Sequence, residues 1–371
     1  MKKILLGSTA LLGAAVAAAP AQAADGIKLS LGGFFRTAVL YNIDDHGKND
    51  LGNRRYNDGV FSDGEIYFLG KTTLDNGLTV GVRVELEAEQ SGDQIDAAYA
   101  YFQGGFGEAR IGSQLGALAT MCVTPVGGTT NFGAFSQNQI INNAYDGFSA
   151  GVCNSVDDVR GADKSQKIVY ISPNFGGFQL GASWAPNGNH ESSGVTGGHT
   201  GMPAVQDGEQ RNIIDVYGTY AHDFTGWSVN WGGGGSWTLS NGGVSPSHNK
   251  GAAYQTGLNI TVGNLSFGGS GEYYKNGMAP NQDAWIAGAG AAYNIDAWTV
   301  GLQYSYGDVE FAGHNVDRKI NTVAVTGKYD LGPGISLDAT AQYAWVNADK
   351  ADTGADGYKS FGLGLGTAFT F

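Results

Sequence analysis

The chain is 371 residues long and acidic, with 34 Asp and Glu against 21 Lys and Arg and a formal net charge of −13. That balance excludes nucleic-acid partners, which require a basic face. Sixty-one glycines, 18 tyrosines and 17 phenylalanines beside only 8 prolines indicate an all-β chain with many turns.

Residues 1–23 have the build of a cleaved signal peptide. Lys2 and Lys3 form a charged start, residues 4–19 an apolar alanine-rich core, and Ala21-Gln22-Ala23 a small-x-small cleavage site. Beyond it no stretch approaches the roughly 20 apolar residues of a spanning helix. No linker or shift in composition divides residues 24–371, which are expected to form a single domain.

Residues 27–42 alternate with a period of two. Ile27, Leu29, Leu31, Phe35, Val39 and Tyr41 share one face; Lys28, Ser30, Arg36 and Asn42 share the other. A polar connection over 43–59 leads to a second strand, 60–74, and Asp75-Asn76-Gly77 supplies a tight hairpin turn. The third strand, 78–90, sets Leu78, Val80, Val82, Val84 and Leu86 against Thr79, Arg83, Glu85, Glu87 and Glu89. A soluble sandwich would close its core with a second apolar sheet, yet here one face stays polar throughout.

Further strands are expected over 95–103, 108–115, 166–172, 178–185, 211–222, 227–239, 251–261, 265–275, 283–293, 298–306, 318–330, 335–347 and 358–371. Short turns alternate with longer polar or Gly-rich connections, the pattern of an outer-membrane barrel of about 16 antiparallel strands. One interval stands apart. Residues 116–164 show neither strand alternation nor a helical stripe, and they hold both cysteines, Cys122 and Cys153. A disulfide between them would close a sub-loop of about thirty residues, contributing about 3–4 kcal/mol on the loop-entropy estimate. Two buried free thiols are the alternative.

The last strand places Phe361, Leu363, Leu365, Thr367, Phe369 and Phe371 on one face and small residues on the other. A terminal Phe371 in an alternating strand resembles the signal read by the outer-membrane assembly machinery. The leader, the Asp75-Asn76-Gly77 hairpin, the Gly105-Phe106-Gly107 turn, the long insert after the fifth strand and Phe371 together resemble a Gram-negative general porin of the sixteen-stranded, trimeric kind. The resemblance spans the mature chain and rests on architecture more than on a tight motif. It implies passive diffusion of small hydrophilic solutes and ions, and a third external loop folded into the lumen. It also implies an eyelet in which basic wall residues oppose acidic loop residues.

On that basis Arg36, Lys71, Arg83 and Arg110 are candidates for the basic wall. Asp146, Asp157, Asp158 and Asp163 of the insert are the acidic side, with Glu85 on the wall; Glu65, Glu87 and Glu108 share the lumen rows. Opposed charges across a narrow, low-dielectric passage create a barrier for ions. The excess of acid predicts a weak cation preference.

All seven tryptophans fall between residues 184 and 345. Tryptophan marks surface that meets lipid headgroups, so the Trp-free arc is expected to face other subunits through Leu29, Leu31, Phe35, Phe361, Leu363 and Leu365. Outer-membrane lipid and lipopolysaccharide are expected partners. The acidic stretches Asp44-Asp45 and 349–356 could hold divalent cations bridging to lipopolysaccharide phosphates, although solvated loop charges are the simpler account. No resident cofactor is expected. The six histidines lack metal-type spacing and no nucleophile, histidine and acid come together, so no enzymatic activity is expected. Two other functions stay open: a substrate-selective channel, for example for sugars, and a secreted all-β binding protein.

Overall fold

The computed structural model describes residues 26–45, 56–88, 95–128, 153, 155–156, 164–188, 210–241, 250–276, 283–311, 316–347 and 357–371. They form sixteen strands: β1 (Lys28–Asp45), β2 (Asp58–Thr73), β3 (Thr79–Glu87), β4 (Ile95–Gly104), β5 (Gly107–Ser113), β6 (Gln166–Ile171), β7 (Phe178–Asn187) and β8 (Gln210–Phe224), then β9 (Trp227–Asn241), β10 (Ala252–Val262), β11 (Leu265–Lys275), β12 (Ala284–Ile295), β13 (Trp298–Phe311), β14 (Val316–Gly332), β15 (Ile335–Asn347) and β16 (Tyr358–Thr370). Each pairs antiparallel with its sequence neighbours, and β1 pairs with β16 to close the barrel. Closure removes the sheet edges that an open sheet would leave unpaired.

The join is tight. Phe35 faces Phe369, Val39 faces Leu365 and Tyr41 faces Leu363 across it. Gly33 and Phe371 exchange backbone hydrogen bonds of 3.0 and 3.1 Å. Gly33 has φ +150, and a Cβ there would lie 2.2 Å from the Glu65 carbonyl oxygen, so only glycine fits. At the first short turn Gly77 adopts φ +81 and its N–H donates to Leu74 O at 2.8 Å, while the Leu78 N–H donates to Asn76 Oδ1 at 3.0 Å.

Several strands outrun the alternation that predicts them. β1 continues to Asp45 instead of ending near Asn42, β2 starts at Asp58, and β13 and β14 extend to Phe311 and Val316. Alternation reports the lipid band, where the outer row must be apolar. The hydrogen-bonded ladder continues beyond that band through polar residues. Asp44 therefore lies at a strand end, with its Oδ1 accepting a hydrogen bond from the β16 Ser360 hydroxyl, 2.5 Å, rather than in a free loop.

Outward rows are apolar and exposed, with Leu29, Leu31, Val39, Leu258, Leu302, Val325 and Leu365 among them. Rings gather at two heights. Phe178–Tyr220, Phe224–Trp227 and Trp298–Tyr329 pack near the short turns, with centroids 4.4, 4.2 and 4.7 Å apart. Trp237–Tyr254 and Trp285–Tyr306 pack toward the long connections at 5.8 and 4.8 Å. The interval from Trp227 to Trp237 along β9 corresponds to about 33 Å of strand, or about 25 Å of rise at a tilt near 40°, the height of a bilayer's apolar band.

Candidate functional site

Three arginines point inward from alternate strands, and each meets both a carboxylate and a ring. Arg36 of β1 donates through Nε to Asp63 Oδ2 of β2 at 2.8 Å, with its guanidinium 5.4 Å from the Phe34 ring. Arg83 of β3 is ion-paired with Glu85 and lies 4.2 Å over Tyr67 of β2. Arg110 of β5 is ion-paired with Glu108 and lies 5.5 Å over Tyr99 of β4. A guanidinium can do both at once, because its edge carries the donors while its plane stacks. The i, i+2 spacing of Arg83 with Glu85, and of Glu108 with Arg110, puts both partners on one face of a strand.

A second group lies beside the Arg83–Glu85 pair. Glu65, Glu87 and Asp96 bring carboxylate oxygens within 4.8 Å of one another, and Lys164 is ion-paired with Asp96. Asp96 is out of phase with the inward residues Ala97 and Tyr99. A register shift, in which Glu85 pairs with Ala97 but Leu86 pairs with Ile95, leaves Asp96 as the extra residue. Alternation alone therefore misses it. Asp63 shares an alternating row with Glu65 and could have been found; Lys164 carried no signal beyond ending the insert. Around this wall Asp63, Glu65, Glu85, Glu87, Asp96 and Glu108 outnumber Arg36, Arg83, Arg110 and Lys164.

The start of the insert lies against the opposite inner wall. A short helix, α1 (Ala117–Met121), begins where the Ala117 N–H donates to the β7 Ser183 hydroxyl at 3.1 Å. Cys122, at its end, forms a disulfide with Cys153. The chain then runs across the wall. Val123 N donates to Tyr217 Oη at 3.3 Å, and Val123 O accepts from Gln255 Nε2 at 2.7 Å. Thr124 O accepts from Asn259 at 2.8 Å and Gly127 O from the Thr326 hydroxyl at 3.0 Å. Beyond the disulfide, Val156 N donates to Ser236 Oγ at 3.1 Å, and the Val156 side chain is buried among Ala185, Ile213, Ala253 and Tyr274.

Glycines make this seat possible. A Cβ at Gly257 would lie 1.9 Å from Val123 O, and one at Gly290 would lie 1.9 Å from Val126 O. At Gly181 it would meet Met121 Sδ at 2.2 Å, and at Gly301 it would meet Gly127 O at 2.6 Å. The inner face is bare where another backbone must lie on it. Below α1 a cavity of about 550 Å³ remains, lined by Glu108, Arg110, Thr120, Cys122, Gln179 and Thr219.

Of the expected eyelet residues, Glu85 is ion-paired with Arg83, while Arg36 and Arg110 pair with Asp63 and Glu108. Lys71 shares their inward row but sits at the short-turn end, opposite Lys28. Asp146, Asp157, Asp158, Asp163 and the stretch 349–356 lie outside the described residues. Leu29, Leu31, Phe361, Leu363 and Leu365 are exposed on the outer surface, and Phe35 is half-buried beside Phe369. Phe371 is 65% exposed at the end of the β16 row.

A model of the Gram-negative porin family matches residues 7–351. A monosaccharide porin of a Halomonas species is 32% identical over 211 residues, 53% of this chain and 52% of that protein. The chain thus spans about half the length of the curated relatives it matches. Among solved structures, an anion-selective porin from Comamonas acidovorans is similar with a TM-score of 0.64 at 20% identity, over 93% of this chain and 100% of that one. The in-vitro folded, trimeric form of OmpT from Vibrio cholerae is similar with a TM-score of 0.60 at 14% identity, over 94% and 100%. At these identities the likeness is one of fold.

Proposed function

The chain belongs to the Gram-negative porin family, and on that premise we propose that it is a passive outer-membrane channel for small hydrophilic solutes and ions. The observation that carries this reading is the closed barrel with a charged inner wall, against which the start of the insert lies seated on glycines. Residues 1–23 are removed on export, and residues 24–371 assemble as a homotrimer in outer-membrane lipid and lipopolysaccharide. The subunit contact is the Trp-free face around Leu29, Leu31, Phe35, Phe361, Leu363 and Leu365. Arg36, Arg83 and Arg110 are the proposed basic part of the eyelet, with Asp146, Asp157, Asp158 and Asp163 as its proposed acidic part. Because each arginine already has a carboxylate partner, the surplus charge of the wall is negative and cations are favoured.

Planar-bilayer recording of the purified protein tests this. Stepwise, ohmic conductance in KCl with a reversal potential of cationic sign is the expected result. Absence of channels, or a reversal potential of anionic sign, would overturn the reading or its charge assignment respectively.

A sugar-selective channel is the second reading. It is favoured by the monosaccharide porin among the relatives and by the inward rings Phe34, Tyr67, Tyr99 and Tyr101. Saturable block of the current by glucose would select it; glucose flux without block selects the general pore.

A further inference from the structure

Glu108 and Arg110 of β5 line the cavity of about 550 Å³ between α1 and the short turns, a volume in the range of small-molecule sites. Among the described residues they are its only charged lining, so its charge sums to zero. Their ion pair joins Arg110 Nε to Glu108 Oε1, and the guanidinium is held 5.5 Å from the Tyr99 ring. Among the described residues, neither Glu108 Oε2 nor the two terminal nitrogens of Arg110 have a hydrogen-bond partner. Both side chains remain 21% exposed. The pair thus keeps one acceptor oxygen and a fork of donors for a further ligand.

The rest of the lining is fixed before any solute arrives. Ile171 faces Glu108 across the β5–β6 pair, and Pro173 follows in the turn after β6. Met121 and Val123 come from the insert and are pressed onto glycines. A Cβ at Gly181 would lie 2.2 Å from Met121 Sδ, and one at Gly232 would lie 2.9 Å from Val123 Cγ2. Hydrogen bonds of Val123 with Tyr217 and Gln255, and the Cys122–Cys153 disulfide, hold this segment in place. These four side chains give the cavity apolar walls beside one ion pair. Among the described residues no aromatic ring lines it to hold the face of a sugar.

We propose that this cavity is a binding subsite for zwitterionic α-amino acids with an apolar side chain. The α-carboxylate takes the terminal nitrogens of Arg110, and the α-ammonium donates to Glu108 Oε2. The side chain rests against Met121, Val123, Ile171 and Pro173. A zwitterion adds no net charge and leaves neither pole opposed to its like. An organic anion would meet Glu108 and an organic cation would meet Arg110, each a repulsive contact that discriminates against it. The inference rests on the reading of the barrel as an open pore, and its test separates the two.

Single channels of the full protein would be recorded in KCl with leucine, 4-methylpentanoate or leucinamide added. At about pH 6 these are a zwitterion, an anion and a cation of nearly the same shape. Transient block by leucine is expected, with dwell times about tenfold longer than for either analogue, each of which lacks one charge-assisted hydrogen bond. Glu108→Gln should shorten the leucine block by about tenfold and lengthen that of 4-methylpentanoate, a reversal that a merely loosened wall would not give. Arg110→Gln should shorten the leucine block and lengthen that of leucinamide. Heat-modifiable migration checks that each variant has folded; should one fail, the analogue series on the unaltered protein decides. Block by either analogue as long as by leucine, or no leucine block while the KCl conductance is intact, would overturn the subsite. So would an unchanged leucine dwell time in folded Glu108→Gln. Absence of KCl conductance would overturn the pore reading, and the inference with it.

Discussion

The arc β1–β6 and the arc β7–β14 use the same ladder and opposite side-chain chemistry. Inside the first stand arginines, carboxylates and rings; inside the second, at the heights the insert crosses, stand glycines and amides. Outside, the first has no tryptophan, and the second carries Trp184, Trp227, Trp231, Trp237, Trp285 and Trp298. A closed barrel has no core to share, so each wall position answers only to what lies against it. Water calls for charge, another backbone calls for glycine, and a lipid boundary calls for indole.

The sharpest way to break this contrast is to fill the seat. Gly257→Val would drive a side chain into Val123 O. It should lower stability by about 1–3 kcal/mol through overpacking and alter single-channel conductance as the segment leaves the wall. Unchanged melting in detergent together with unchanged conductance would show that the segment does not rest there. Leu363→Asp tests the outer faces. A carboxylate on the β16–β1 surface should give monomers on native gels, whereas the same change at Leu302, on the Trp-bearing arc, should leave trimers; trimers in both cases would remove the proposed contact.

A smaller effect is expected at the charged wall. Glu65→Gln with Glu87→Gln removes surplus carboxylate and should move the reversal potential toward the anionic side by a few millivolts in a tenfold KCl gradient. That shift should fade as salt rises and screening shortens. No shift at low salt would mean that the selectivity is set elsewhere in the pore. The smallest change in conductance should follow Cys122→Ser with Cys153→Ser. Residues 123–127 are held by wall hydrogen bonds, and Val156 by Ser236 and its apolar neighbours. Losing the disulfide should lower the melting temperature, within the about 3–4 kcal/mol of the loop-entropy estimate, with conductance nearly unchanged. A wider channel would show that the disulfide, not the glycine seat, holds the segment.

The sequence by itself determined a barrel of about sixteen strands and the alternating rows within them, because a period of two leaves one choice once an outer face must be apolar. Arg36, Arg83, Arg110 and Glu85 were legible in that way. Tertiary structure decided what alternation cannot carry: height in the barrel and neighbours across it. Lys71 belongs to the right row but stands at the mouth, and Asp96 turns inward only because the register shifts beside Glu85. The glycines at positions 181, 257, 290 and 301 are contacts for a chain arriving from more than fifty residues away. Local periodicity records which way a side chain points; only closure of the barrel brings together residues that no spacing in the sequence relates.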